Sequence, residues 1–190
     1  MGERLKLNPV KYVALLRGIN VGGRNLVRMA DVRDCLEGQD FTRVTTYIQS
    51  GNVLFESRSS DAVRLTAVME KALVTAFGHE VPVFLRSQAQ LKRIVSQAPS
   101  SWKTGKALRQ NVAFLRAPLT AKRALSEIDP RPDVDSVTAG HGVLYMSTVM
   151  NRLKQSRLPR IVGTPIYRDM TIRSFSTCQK IVALMEVDSR

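Results

Sequence analysis

Between residues 11 and 86 the hydrophobic pattern switches from strand-length runs to helical spacing and back, in an order that few folds accommodate. Residues 11–17 read as a strand, 28–38 as a helix, 43–49 and 52–57 as two strands, 61–77 as a helix and 81–86 as a strand. The second helix is the most regular, because Leu65, Val68, Met69, Ala72, Leu73, Ala76 and Phe77 keep one apolar stripe that must cover a sheet. Ser60 or Asp61 can cap its start and Gly78 can end it. Ser50-Gly51 reads as a tight hairpin turn between the two middle strands. The resulting β-α-β-β-α-β order is that of the ferredoxin-like split βαβ arrangement.

The rest of the chain repeats this order loosely. A short helix over 87–98 leads into Pro99-Ser100-Ser101-Trp102-Lys103-Thr104-Gly105-Lys106, which has loop composition and marks a boundary. A strand at 112–115, a helix at 120–128, strands at 134–139 and 143–150 around Gly140-His141-Gly142, a helix over 153–162 closing at Gly163 and an extended piece at 170–173 follow. A last helix spans 177–187, with Ser176 and Gln179 in capping-box spacing. The organisation expected is a first subdomain over 1–86, a connection over 87–110 and a second subdomain over 111–190, duplicated in topology without a short sequence repeat. At 44% hydrophobic, the chain can fill such cores.

Charge narrows the partners. The 29 basic residues exceed the 16 acidic ones, for a formal net charge of +13. No acid falls between Glu80 and Glu127, where Arg86, Lys92, Arg93, Lys103, Lys106, Arg109, Arg116, Lys122 and Arg123 all lie. A second acid-free stretch, between Asp135 and Asp169, holds Arg152, Lys154, Arg157, Arg160 and Arg168. Such a surplus attracts polyanions, although it also serves solubility. Lys92, Arg93, Lys103, Lys106, Arg109 and Arg157 are the candidate nucleic-acid contacts, and Trp102 is the one aromatic among them. Asn52-Val53-Leu54-Phe55 lacks the aromatic platform of an RNA-recognition motif.

Arg4, Lys6 and Lys11 precede an apolar run of only 13–16, too short for a signal or membrane segment, so cytoplasmic residence without a membrane partner is expected. Cys35 and Cys178, with no CxxC spacing, fit buried thiols in a reducing compartment.

Two polar corners are the candidate small-ligand site. In Arg17-Gly18-Ile19-Asn20-Val21-Gly22-Gly23-Arg24-Asn25, Arg17 and Arg24 supply charge, Asn20 and Asn25 supply amides, and Gly22-Gly23 supply unobstructed N–H groups for a phosphate or carboxylate. The glycine spacing matches neither a Walker A loop nor G-x-G-x-x-G. The competing reading is plain turn chemistry, with Asn25 helping to cap the following helix. In Thr46-Tyr47-Ile48-Gln49-Ser50-Gly51-Asn52, strand alternation puts Tyr47 and Gln49 opposite Thr46, Ile48 and Ser50, so one set with Asn52 can line a site; the alternative is again hairpin polarity. Antiparallel pairing of the first and third strands would bring the two corners together. Ser50 lacks a nucleophile elbow, and neither His79 nor His141 is placed as its base. Asp31, Asp34 and Glu37 read as a solvated helix face, and Asp129, Asp133 and Asp135 lie in a Pro-punctuated loop without the EF-hand pattern. No motif calls for a metal or a cofactor.

The motifs Tyr12-Val13-Ala14-Leu15-Leu16-Arg17-Gly18-Ile19-Asn20-Val21-Gly22-Gly23-Arg24-Asn25 with Met29, and Thr46-Tyr47-Ile48-Gln49-Ser50-Gly51-Asn52-Val53 running to Phe55, closely resemble the bacterial domain-of-unknown-function family 1697. The resemblance covers essentially the whole chain, strongest to Phe55. It implies an α+β protein of two ferredoxin-like (β-α-β-β-α-β) subdomains, with antiparallel sheets covered by helices, and no established activity. That family usually carries Thr-x-Arg-Asn-Trp-Asn-Thr at the start of its last helix. Here Thr171-Ile172-Arg173-Ser174-Phe175-Ser176-Thr177 keeps Thr171, Arg173 and Thr177 but replaces the Asn-Trp-Asn; Arg173 stays a candidate ligand-binding residue, and a site that the family builds on this segment would be expected to differ in this member. Two functions from different classes follow: a non-catalytic binder of nucleic acid or another polyanion, or an enzyme or small-ligand binder using the two corners.

Overall fold

Strand β1 (Val10–Leu16) is buried on both faces from Tyr12 onward, which places it inside a sheet rather than at its edge. The computed structural model describes residues 8–20, 26–39, 41–103 and 107–187. They divide into two compact units, Met1–Gln88 and Ala89–Arg190.

In the first unit β1, α1 (Met29–Glu37), β2 (Thr42–Tyr47), β3 (Asn52–Ser57), α2 (Ala62–Phe77) and β4 (Val83–Ser87) follow one another, and the sheet order is β2-β3-β1-β4 with every pair antiparallel. Tyr12, Ala14, Leu16, Val53, Phe55, Val83 and Leu85 share one face and pack with Val32, Leu36, Leu65, Met69 and Leu73 of the two helices. Val13, Leu15, Leu54 and Phe84 on the other face are buried as well. Asp61 caps α2 by accepting from Arg64 N at 3.0 Å, and Gly78 ends it at φ +74°.

The β2–β3 turn is wider than the two residues the sequence suggests. Tyr47 pairs with Asn52, leaving Ile48, Gln49, Ser50 and Gly51 as a four-residue loop. Asn52 closes it, donating from Nδ2 to Tyr47 O at 2.9 Å and to Ser50 Oγ at 3.1 Å. The edge strand β2 is bulged between Thr42 and Thr45, with Arg43 at φ 51°.

The second unit carries α3 (Gln88–Ser96, its first residue belonging to the first unit), β5 (Leu108–Leu115), α4 (Ala121–Ser126), β6 (Asp135–Gly140), β7 (Val143–Val149), β8 (Met170–Ser174) and α5 (Phe175–Val187). Its order, β6-β7-β5-β8, is the same antiparallel arrangement, so the α+β chain comprises two ferredoxin-like subdomains. Ala113, Leu115, Leu144, Met146 and Met170 form one face of the core with Ala124, Leu158, Ile161 and Ile166. On the other face α5 packs on β5 and β8, and Tyr145 Oη donates to Ile94 O of α3 at 2.8 Å.

Three features depart from the sequence reading. Strand β5 begins at Leu108, four residues early, paired with Val149. The helix expected over 153–162 is instead a run of 3-10 turns, Met150–Gln155, Leu158–Gly163 and Pro165–Asp169. Pro159 and Pro165 each remove an N–H that a continuous helix needs, and Ser156 between the first two turns is extended at φ −61°, ψ 141°. Finally, α5 starts at Phe175, capped by Ser174, whose Oγ accepts from Thr177 N at 3.2 Å; the Ser176 capping box is not formed. Among the described residues no helix is long and apolar enough to cross a membrane.

The duplication is legible atom by atom within each unit. Val13 pairs with Arg86 as Val112 pairs with Arg173, and each arginine is followed by a serine and then a helix. Leu16 N donates to Gly51 O at 2.8 Å and Arg17 N to Pro82 O at 2.9 Å. Their counterparts, Leu115 N to Gly142 O at 3.0 Å and Arg116 N to Asp169 O at 3.1 Å, repeat the arrangement.

Candidate functional site

The two polar corners meet. Because β1 and β3 are antiparallel, the chain leaves β1 where β3 begins, and the Leu16–Gly51 hydrogen bond joins them there. Asn20 completes the joint from a left-handed backbone, φ 54°, which asparagine adopts more readily than most residues. Its Nδ2 donates to Gln49 O at 3.0 Å and to Val27 O at 2.9 Å, while its Oδ1 accepts from Val27 N at 2.8 Å. Gly51 sits at φ +78°, and a Cβ there would lie 2.8 Å from Ile19 Cδ1 and 2.9 Å from Leu16 Cβ.

The polar groups of this corner therefore serve two different ends. The side-chain amide of Asn20 ties one corner to the other, and Asn52 is fully buried and engaged with Tyr47 and Ser50. Arg17 and Tyr47 are half-buried, with Arg17 Nε enclosed, whereas Gln49 and Ser50 are exposed. Gly22, Gly23, Arg24 and Asn25 lie outside the described residues. Helix α1 takes Arg28 as its N-cap residue, without a side-chain cap bond. Arg28 and Asp31 pair across that first turn at 2.9 Å.

The basic residues fall into groups that the sequence could not separate. Arg86 is half-buried, and desolvation lowers its guanidinium to about 10. Lys92 pairs with Glu186 at 2.9 Å, Arg116 with Asp169 at 3.5 Å, Arg123 with Glu127 at 3.2 Å and Arg157 with Asp129 at 2.6 Å. Arg93, Lys103, Arg109 and Lys122 are exposed and have no acidic partner among the described residues. Lys106 lies outside those residues. Trp102 is half-buried between Phe175, 4.9 Å away, and Tyr145, 5.8 Å away, both edge-on, so its ring belongs to the packing of the second unit.

Arg173 is 8% exposed, and burial lowers it to about 10; its Nη1 donates to Thr171 Oγ1 and Ile172 O, both at 3.0 Å. Burial also pushes the Cys178 thiol up to about 12, against the opposing pull of Arg173, so at neutral pH it is a protonated core residue. Cys35 is raised by burial as well.

One carboxylate matters more than the sequence indicated. Asp135 opens β6 and accepts from Ser156 Oγ at 2.6 Å, Arg157 N and Thr148 Oγ1 at 2.8 Å and Arg131 N at 3.1 Å. Burial works to raise its pKa, but the four donors prevail and hold it below the usual aspartate value. The only signal in the sequence was an acid just before an alternating run, which does not distinguish a hub from a loop carboxylate. Among the described residues no cluster of three or more histidine, cysteine or acidic side chains could hold a metal ion.

The comparisons agree with this architecture. No curated protein matches the chain. The conserved bacterial protein SP0830 from Streptococcus pneumoniae has a similar fold, with a TM-score of 0.80 over 94% of this chain and 99% of that one at 23% identity. The model of the family described as a protein of unknown function, DUF1697, matches residues 10–145, and the chain, with both corner motifs and the fold they join, belongs to that family.

Proposed function

We propose that this protein is a non-catalytic binder of nucleic acid or a similar polyanion, resident in the cytoplasm, and that the second unit supplies the cationic surface. The observation that carries this reading is the set Arg93, Lys103, Arg109 and Lys122, exposed and lacking acidic partners among the described residues, within the acid-free stretch between Glu80 and Glu127. Lys92 and Arg157 add to it at small cost, because exposed ion pairs are worth only about 0–1 kcal/mol and exchange readily for phosphate. The corner reading is weaker, since the amides of Asn20 and Asn52 are already spent on the backbone and on Ser50.

Neutralising about four phosphates makes log K fall against log salt with a slope of about −3 to −4 on duplex DNA. Fluorescence anisotropy with a labelled oligonucleotide over a salt series measures it. Replacing Lys103, Lys106 and Arg109 together by alanine flattens the slope, whereas Asn20→Ala leaves it unchanged. Absence of binding to both duplex and single-stranded oligonucleotides at low salt overturns the proposal.

A further inference from the structure

Where the second crossover helix of a ferredoxin-like sheet would lie, the second unit has 3-10 turns, and they leave a cavity of about 230 Å³ above the sheet. Its floor comes from Arg109 and Asn111 of β5, Met146 and Thr148 of β7 and Ile172 of β8. Its wall is aliphatic, with Leu153, Leu158, Pro159, Ile161 and Val162.

The polar groups on the floor are unequal. Thr148 and Ser156 already donate to Asp135. Asn111 is half-buried, and its side-chain amide has no hydrogen-bond partner among the described residues; Arg109 carries no ion pair among them. An amide without a protein partner beside an aliphatic wall is free to donate to a ligand's oxygen, and the bond is strengthened when that oxygen carries charge. A guanidinium beside an amide suits a planar carboxylate, held by paired N–H donors. The volume is below the roughly 300–1,000 Å³ of pockets for drug-sized ligands, so the occupant is smaller. The Asp135 carboxylate, in the cross-strand row Arg109–Thr148–Asp135, disfavours a second negative charge.

We propose that this cavity binds a small monocarboxylate with a branched aliphatic body, its carboxylate on Arg109 and Asn111 and its body against Leu158, Ile161 and Val162. The site is separate from the polyanion surface except for Arg109.

Titration of the full chain with 4-methylpentanoate, followed by amide NMR shifts, tests it, with acetate and neutral 4-methylpentanamide as controls. The carboxylate shifts amide resonances of 109–111, 146–148, 158 and 160–162, and both controls bind at least about tenfold more weakly, the amide because it loses a charge-assisted hydrogen bond and acetate because it lacks the aliphatic body. Arg109→Gln weakens 4-methylpentanoate by the same factor. Val162→Trp, at a position 59% exposed and so tolerant of a larger ring, blocks the cavity and abolishes binding while leaving the oligonucleotide salt slope intact. Equal binding of the acid and the amide, no saturable shift with any probe, or unchanged binding in a folded Val162→Trp protein overturns the proposal.

Discussion

Asn20 and Gly51 show how two residues hold a joint that three backbone segments share, the end of β1 with its following turn, Val27 and the β2–β3 loop. Asn20→Ala removes three hydrogen bonds and takes the left-handed backbone away from a residue that tolerates it. The expected loss is about 2–4 kcal/mol, read as a shift in the midpoint of urea unfolding at unchanged slope. Gly51→Ala places a methyl group against Leu16 Cβ and Ile19 Cδ1 in a positive-φ conformation. It is expected to cost about 2–4 kcal/mol, the sum of the backbone and overpacking terms. If Asn20→Ala proved neutral in stability yet abolished a ligand's binding, the joint would be a binding site rather than a clamp. Both motifs were visible in the sequence as polar, glycine-bearing corners. Which atoms their amides would meet was not, because a side chain that bonds a loop 29 residues away leaves no local trace.

At the scale of elements, the strand β6 and the 3-10 turns after β7 depend on Asp135. Its folded pKa is depressed, so it contributes stability that is present above the unfolded aspartate value of about 3.8 and is lost as pH falls through the lower folded value. Asp135→Asn is therefore expected to destabilise by about 1–3 kcal/mol at pH 7, where hydrogen bonds to a charged acceptor are lost. The gap between variant and parent then closes as pH drops below the usual aspartate range. Thermal melts at stepped pH measure this, and a gap constant down to pH 2 would remove the ionised hub from the account. For α5, Ser174→Ala is expected to cost about 1 kcal/mol and Ser176→Ala almost nothing, which distinguishes the observed cap from the capping box suggested by spacing. Spacing erred because Ser176 and Gln179 also fit a helix already under way, and only the end of β8 fixes where the backbone turns.

For the whole molecule, the sequence alone determined the α+β class, the element order of the first half, the caps of α2 and the basic surplus. These rest on local periodicity, capping chemistry and charge, all written into neighbouring residues. The tertiary structure decided that the two corners form one joint, that Lys92 and Arg157 are neutralised by Glu186 and Asp129, and that 3-10 turns replace the expected 153–162 helix. It also placed Arg109 and Asn111 beside a cavity. Each of these depends on residues far apart in sequence arriving at one place. Apolar spacing records which face of an element is buried, and it carries no information about which distant carboxylate, carbonyl or wall will lie opposite.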